Sequence, residues 1–290
     1  MREFPVFVPY GDEHVAAVVA VPERTPRGLV VLATGLGAPR SHRYQVWAVA
    51  AQRLAESGIA SVRFDYPGLH DSTGSAEEIR TSRPPTEQTM AVAEFARRAT
   101  GAREIVAVGN CWGAHLAVAL AARMDGCVGA ICILPETVEP GRVDGALRRA
   151  AGRKVAGLLR SNRTLRRVLR PLRHLDLQAK QAVRDLLPRA LERARVLFLY
   201  DREHLDTGPH EVGKVRALLA RLPEGSRGRF ELRLISGRGL ARFGSVEVQD
   251  SLLDAMLEWT EERFPRQGEA EPDPEASLAS GAAVSPRGVP

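Results

Sequence analysis

The residues best suited to chemistry stand together at Gly109-Asn110-Cys111-Trp112-Gly113. An apolar run, Glu104–Val108, leads into them, and a helical pattern begins at about Trp112 and continues to Arg123. Glycines two residues either side of a central position let backbone and neighbours approach closely, and the tight strand-to-helix turn exposes the central side chain. A cysteine there reads as a nucleophile, because the positive end of the following helix favours the thiolate, the reactive form of the thiol. The bland alternative is a small buried residue at a turn. Cys127 and Cys132 fall in the next apolar run and read as core.

The elements around this turn follow an α/β rhythm. Short apolar runs alternate with amphipathic helical stretches, the pattern of a mostly parallel sheet flanked by helices. Phe4–Val8 and Val15–Val21 read as two opening strands joined at Gly11-Asp12, and Gly28–Ala33 as a strand buried on both faces. Tyr44–Glu56 is helical, Ile59–Phe64 a strand, Asp65–Pro85 a loop and Glu87–Arg98 a helix. Cys127–Leu134 is the sixth strand. From Glu139 to Ala194 the pattern holds only Leu/Arg helices, expected to break near Pro171 and Pro188. The rhythm resumes with strand Val196–Tyr200, helix Val212–Leu222, strand Phe230–Ile235 and helix Val248–Phe264. The expected organisation is a core from residues 1–136 and 195–265, a basic helical cap insertion at 137–194, and a disordered tail at 266–290 rich in Gly, Ala, Pro, Ser and Glu.

With this context, the G-x-C-x-G turn resembles the nucleophile elbow of the α/β-hydrolase superfamily, with cysteine where most members carry serine. The resemblance covers Gly28–Leu134 well and Val196–Phe264 loosely, and it equates the insertion with the family's variable cap. It implies an oxyanion hole made by the backbone N–H of Trp112, next to the nucleophile, and that of Leu36 in the loop Thr34-Gly35-Leu36-Gly37. Two departures stand out. The family's histidine usually follows the last strand in a G-x-G-H loop, where this chain reads Gly237-Arg238-Gly239-Leu240. The family's acid usually lies just beyond the strand Val196–Tyr200, where this chain has His204, flanked by Asp201, Glu203 and Asp206. The usual nucleophile–acid–histidine order is therefore not completed.

A base must then come from elsewhere. His204, oriented by Asp206 or Glu203, is the first choice, since it stands where an acid normally meets the catalytic histidine. His70, in Asp65-Tyr66-Pro67-Gly68-Leu69-His70-Asp71-Ser72, occupies a place where family members usually have glycine, in a loop expected to face the site. His115 lies one helical turn beyond Cys111, and His42 lies near the oxyanion loop. These three are the alternative bases.

Charge is unevenly spread. Residues 142–195 hold sixteen basic and four acidic residues, a net +12 in a chain whose total is +6. Such a segment is either a solvated face or a docking surface for an anionic partner, with Arg160, Arg163, Arg166, Arg167 and Arg170 as binding candidates. It contains no aromatic residue on which a base could stack, which argues against nucleic acid. No run of residues reaches the roughly 18 apolar positions of a membrane span, and the opening Met1-Arg2-Glu3-Phe4-Pro5 has no apolar signal core. Three cysteines with no C-x₂-C pair suit neither a disulfide framework nor a structural zinc site, so a reduced cytoplasm is expected, with no metal and no cofactor.

Together these readings predict cysteine-dependent acyl transfer or thioester hydrolysis. The expected substrate is a small acyl group, carried on coenzyme A or on an acidic acyl carrier protein. The alternative is a degenerate member of the superfamily that performs non-hydrolytic chemistry (epimerase, cyclase or lyase) or only binds a ligand.

Overall fold

Strands β1 (Arg2–Tyr10) and β2 (Glu13–Val21) pair antiparallel through Gly11-Asp12, where Gly11 takes φ 57°. The computed structural model describes residues 1–75, 84–135, 179–202, 215, 219–220 and 222–265. The helix expected at 212–222 therefore lies mostly outside the described residues, as does the tail at 266–290.

Six further strands follow: β3 (Leu29–Ala33), β4 (Ala60–Phe64), β5 (Ile105–Asn110), β6 (Cys127–Ile133), β7 (Arg195–Asp201) and β8 (Phe230–Ile235). They form one eight-stranded sheet in the order β1-β2-β4-β3-β5-β6-β7-β8. β2 meets β4 antiparallel, and every pairing from β4 to β8 is parallel. The continuous apolar runs of β3 and β5 are explained by this order, since both strands are central and buried along their whole length. β4 and β5 lie on opposite sides of β3, so the chain changes direction there. In open parallel sheets the loops at the carboxyl ends of strands diverge at such a switch point and leave a crevice for ligand. Here the loops concerned are those after β3 and β5.

Helices cover both faces. α1 (Val46–Glu56) packs with the last helix, α5 (Val246–Glu261), while α2 (Thr86–Thr100) and α4 (Ala179–Arg193) flank α3 (Gly113–Arg123). α3 is buried from Gly113 to Ala122, and five alanines among those residues allow close approach on all sides. Cys127 and Cys132 are buried in β6, as expected of core residues. Among the described residues no helix is long and apolar enough to cross a membrane.

Two expectations change. α1 starts at Val46 rather than Tyr44, because Tyr44 and Gln45 take left-handed backbone angles of φ 52° and 58°. Pro188 does not break its helix: α4 runs through it. Val183, Leu187, Ala190 and Leu191 on α4 are fully buried in the main core, and that packing outweighs the lost backbone hydrogen bond. Residues 179–193, assigned to the cap from the sequence, thus form a layer of the core against α3. Leu187→Ala should then lower the stability of the whole domain by about 2–5 kcal/mol. Urea unfolding followed by the near-ultraviolet signal of the buried tryptophans would measure it, and a loss below about 0.5 kcal/mol would return α4 to the cap.

Candidate active site at the strand–helix elbow

Among the described residues, backbone strain at non-glycine positions gathers at the carboxyl edge of the sheet. Seven non-glycine residues with positive φ are found among the described residues: His42, Tyr44, Gln45, His70, Cys111, Leu134 and Phe243. Each follows the end of β3, β4, β5, β6 or β8. Residues held in this way cost about 1–3 kcal/mol each and persist only where surrounding contacts fix them.

Cys111 sits at φ 50° between β5 and α3 and is exposed. Its N–H donates to the Ile133 carbonyl at 2.8 Å, which carries the β5–β6 pairing into the turn, and its carbonyl accepts from the Ala114 N–H at 3.1 Å. The flanking glycines are sterically required. A Cβ at position 109 would lie 2.1 Å from the Gly113 carbonyl oxygen, and one at position 113 would lie 2.5 Å from the Thr34 carbonyl oxygen. Gly113 therefore lets the elbow press directly on the loop after β3, which the resemblance assigns to the oxyanion hole.

That loop is held from several sides. The Ala38 N–H donates to the Gly35 carbonyl at 3.1 Å, and the Thr34 hydroxyl donates to the Ala38 carbonyl at 3.2 Å. The Arg40 N–H donates to Asp65 Oδ1 at 2.7 Å, while the Arg40 guanidinium pairs with Asp65 and, at 2.7 Å, with Asp71. Asp65 is fully buried at the end of β4, so the pair ties the loop after β3 to the one carrying His70. Among the described residues the Leu36 N–H makes no hydrogen bond, and the residue is exposed.

Tyr66 stands beneath the elbow. Its ring meets that of Trp112 edge-on at 4.9 Å, and its hydroxyl donates to the Thr34 carbonyl. Burial pushes the phenol well above its ordinary range, the bond to Thr34 works against that, and the charge of an ionised Cys111 raises it further. Tyr66 therefore stays neutral and lies within electrostatic reach of the sulfur.

The histidines separate. His42 is buried, edge-on to both Trp47 and Phe243. Its Nδ1 accepts the Arg43 N–H at 2.7 Å, so Nε2 carries the proton and donates to Asn110 Oδ1 at 3.1 Å. Burial pushes its pKa down to about 4. The alternative role of His42 as a base for Cys111 is thus corrected: the basic nitrogen is occupied by backbone, and the other one serves Asn110. His115 is buried on α3, and His70 is exposed on the loop after β4. His204 and Asp206 lie outside the described residues, as do Arg160, Arg163, Arg166, Arg167 and Arg170. Where the family places its histidine, Leu240 is fully buried, and its N–H donates to the buried Asp201 carboxylate at 2.9 Å.

Cys111 and Trp112 stand at the elbow and Leu36 in the loop after β3, as the sequence places them, and Asn110, Tyr66 and the Arg40–Asp65 pair, which the sequence did not single out, lie around them. The signal for Asn110 was its place inside the motif. Asp65-Tyr66 had a weaker one, standing where a buried strand ends.

The state of His42 predicts a pH effect on stability. The folded chain protonates it only near pH 4, against an ordinary value of 6.5. Between those values the unfolded chain holds more protons, so this contribution is complete above about pH 6.5 and declines as pH falls towards 4. Its size is about 3 kcal/mol. In urea unfolding at pH 7 and pH 4.5, the wild type should lose more stability than His42→Gln, and equal losses would exclude His42 as the source.

Comparison with known proteins agrees with this fold. Residues 30–280 match the model of the alpha/beta hydrolase family. Among solved structures, Est1E from Butyrivibrio proteoclasticus with ferulic acid bound superposes with a TM-score of 0.61 at 16% identity, covering 89% of this chain and 98% of that one. An esterase of Pyrococcus furiosus gives 0.61 at 12% identity, covering 91% of each chain. DcsB in complex with its substrate analogue gives 0.63 at 13% identity, covering 91% of this chain and 99% of that one. At these identities the likeness is one of fold. No curated protein sequence matches significantly. The match to the family model spans most of the sequence, and the chain belongs to the alpha/beta hydrolase family.

Proposed function

We propose that the chain is a cysteine-dependent acyl-transfer enzyme, acting on a thioester or activated ester. The observation that carries the reading is the contrast among the thiols. Cys111 is exposed at a strained elbow, whereas Cys127 and Cys132 are enclosed and burial pushes both thiols up, Cys127 to about 12. The Cys111 thiolate adds to the acyl carbon and the carbonyl electron pair moves to oxygen, where the Leu36 and Trp112 N–H groups receive it. Collapse re-forms the carbonyl, breaks the bond to the carrier sulfur or alkoxide, and leaves the acyl group on Cys111. Water, an amine or an alcohol then adds in the same way, giving its proton to a base. His204 with Asp206 is the first choice for that base, with His70 and His115 as alternatives. The cap of this reading is the basic stretch ahead of α4, whose Arg160, Arg163, Arg166, Arg167 and Arg170 attract coenzyme A or an acidic acyl carrier protein in the cytoplasm.

One observation favours a second reading. With Leu240 buried in the family's histidine position, the site also suits non-hydrolytic chemistry in which the same donors stabilise an enolate, or binding without turnover.

Limited iodoacetamide at neutral pH should label Cys111 before Cys127 and Cys132. Intact mass after incubation with a panel of acyl thioesters should show an acyl adduct that is lost in Cys111→Ala. A Cys111 that labels no faster than the other two, or turnover that survives Cys111→Ala, would move the assignment to the second reading.

The cap makes a separate prediction. kcat/KM for a carrier-bound donor should fall steeply with salt, while a short uncharged thioester of the same acyl group should change little, because steering fades as the screening length shortens to about 8–10 Å. Reversing the charge of Arg163 and Arg167 should raise KM for the carrier-bound donor only. An equal response of both donors would reduce the segment to a solvated lid.

A further inference from the structure

The residue before the nucleophile is itself part of the crevice. Asn110 is 7% exposed, and its side chain is oriented by one bond. His42 Nε2 carries the proton, so the Asn110 atom facing it must be the acceptor Oδ1, and the amide nitrogen Nδ2 is turned away. Nδ2 lies over Gly35, where an added Cβ would come within 3.3 Å of it, and Gly35 directly precedes Leu36. Nδ2 makes no hydrogen bond to the described residues. A donor on a side chain more than nine-tenths buried, with no hydrogen bond to the described residues and set against the oxyanion loop one residue before Cys111, is arranged to receive something from outside the chain.

We propose that Asn110 Nδ2 is a substrate-binding donor that takes an oxygen of the acyl group, alongside the Leu36 and Trp112 N–H groups. The ligand class follows from the chemistry. A neutral amide offers hydrogen and no charge, so it fits a carbonyl oxygen and the oxyanion formed from it. His42 is the positioning residue, for it prevents the amide from flipping and presenting Oδ1 to a negative oxygen. Neutral His42 suits that task, since a fixed proton on Nε2 and an accepting Nδ1 lock the amide in a single orientation. Gly35 leaves room beside Nδ2, against which an added Cβ would press at 3.3 Å.

This inference rests on the acyl-transfer reading, and two measurements keep the two apart. The first compares two reactions of Cys111 in wild type and Asn110→Ala: acylation by S-butyryl-N-acetylcysteamine, followed by intact mass, and alkylation by iodoacetamide. Alkylation displaces iodide at saturated carbon and forms no oxyanion, whereas acylation does. Loss of an oxyanion donor typically lowers rate by about 10²–10³-fold. Asn110→Ala should therefore slow acylation by about that factor and leave alkylation within about twofold. A parallel fall in both rates would make Asn110 merely structural, and unchanged acylation would remove it from the site; either overturns the proposal. The second measurement needs no covalent chemistry. In Cys111→Ala protein the same thioester should shift the Asn110 side-chain amide signals in nitrogen–proton NMR spectra, with Asn110→Ala identifying the pair. A shift without acylation of the wild type would refute the cysteine mechanism and keep Asn110 as a carbonyl donor, whereas saturating thioester with no shift would overturn the proposal.

Discussion

A cysteine at φ 50° between a central strand and a buried helix is possible only because two backbones come closer than any side chain would allow. Gly109 admits the Gly113 carbonyl and Gly113 admits the Thr34 carbonyl, so strand, elbow, helix and oxyanion loop form one packed unit. The rest of the site depends on this contact. Once Gly113 lies against Thr34, the Thr34 carbonyl is placed to accept the Tyr66 hydroxyl, and the Tyr66 ring supports Trp112 from below. Asn110, the last residue of β5, then lies over Gly35 within reach of His42. Cys111 and the loop proposed to receive the oxyanion are thus referenced to one another through short, mostly backbone contacts. That precision is needed, because a hydrogen-bond donor displaced by about 1 Å loses much of its effect on a transition state.

Much of this was legible in the sequence, for identifiable reasons. Apolar runs such as Leu29–Ala33 and Ile105–Val108 marked buried parallel strands, and the glycine spacing around Cys111 announced a turn too tight for other residues. Local pattern carries such features. The left-handed angles of His42, Tyr44 and Gln45 had no local signal, since none is glycine; they are held by His42 packing on Trp47 and Phe243 and by its bond to Asn110. Likewise Pro188 argued for a helix break, and only the burial of its neighbours against α3 shows why the helix continues. A lone histidine 68 residues from its partner cannot be told from a catalytic base in a linear reading. Its burial and the occupation of Nδ1 decide the matter, and both are properties of the fold.

The strained residues give a further view of the same site. Strain spread over several loops at one edge of the sheet is not a random cost of folding, which would fall on both edges alike. It concentrates where β3, β4, β5, β6 and β8 hand over to their loops, and the switch point at β3 places the crevice at that same edge. The Arg40–Asp65 pair and the His42–Asn110 bond lie at this edge as well; the first joins the loops after β3 and β4, and the second ties the loop after β3 to the end of β5. Contacts of that kind offset local strain and, in doing so, fix the relative positions of Leu36, His70 and Cys111.

On the proposed reading, a cysteine nucleophile at the elbow and a leucine in place of the histidine after β8 belong together chemically. A serine hydroxyl is almost wholly protonated at neutral pH and needs a base within hydrogen-bond reach before it can attack. A thiol ionises near pH 8.5, and lower beside a helix N-terminus, so the first half of an acyl transfer can proceed with little help. This relaxes the demand on the loop after β8, where Leu240 now fills the core and its N–H rests on Asp201. The second half is different. Water is a poor nucleophile without a base, whereas an amine or another thiolate brings its own reactivity. On the proposed mechanism the base comes from His204 or another unusual place, and the weaker its help, the more an acyl-cysteine would favour a better acceptor over water.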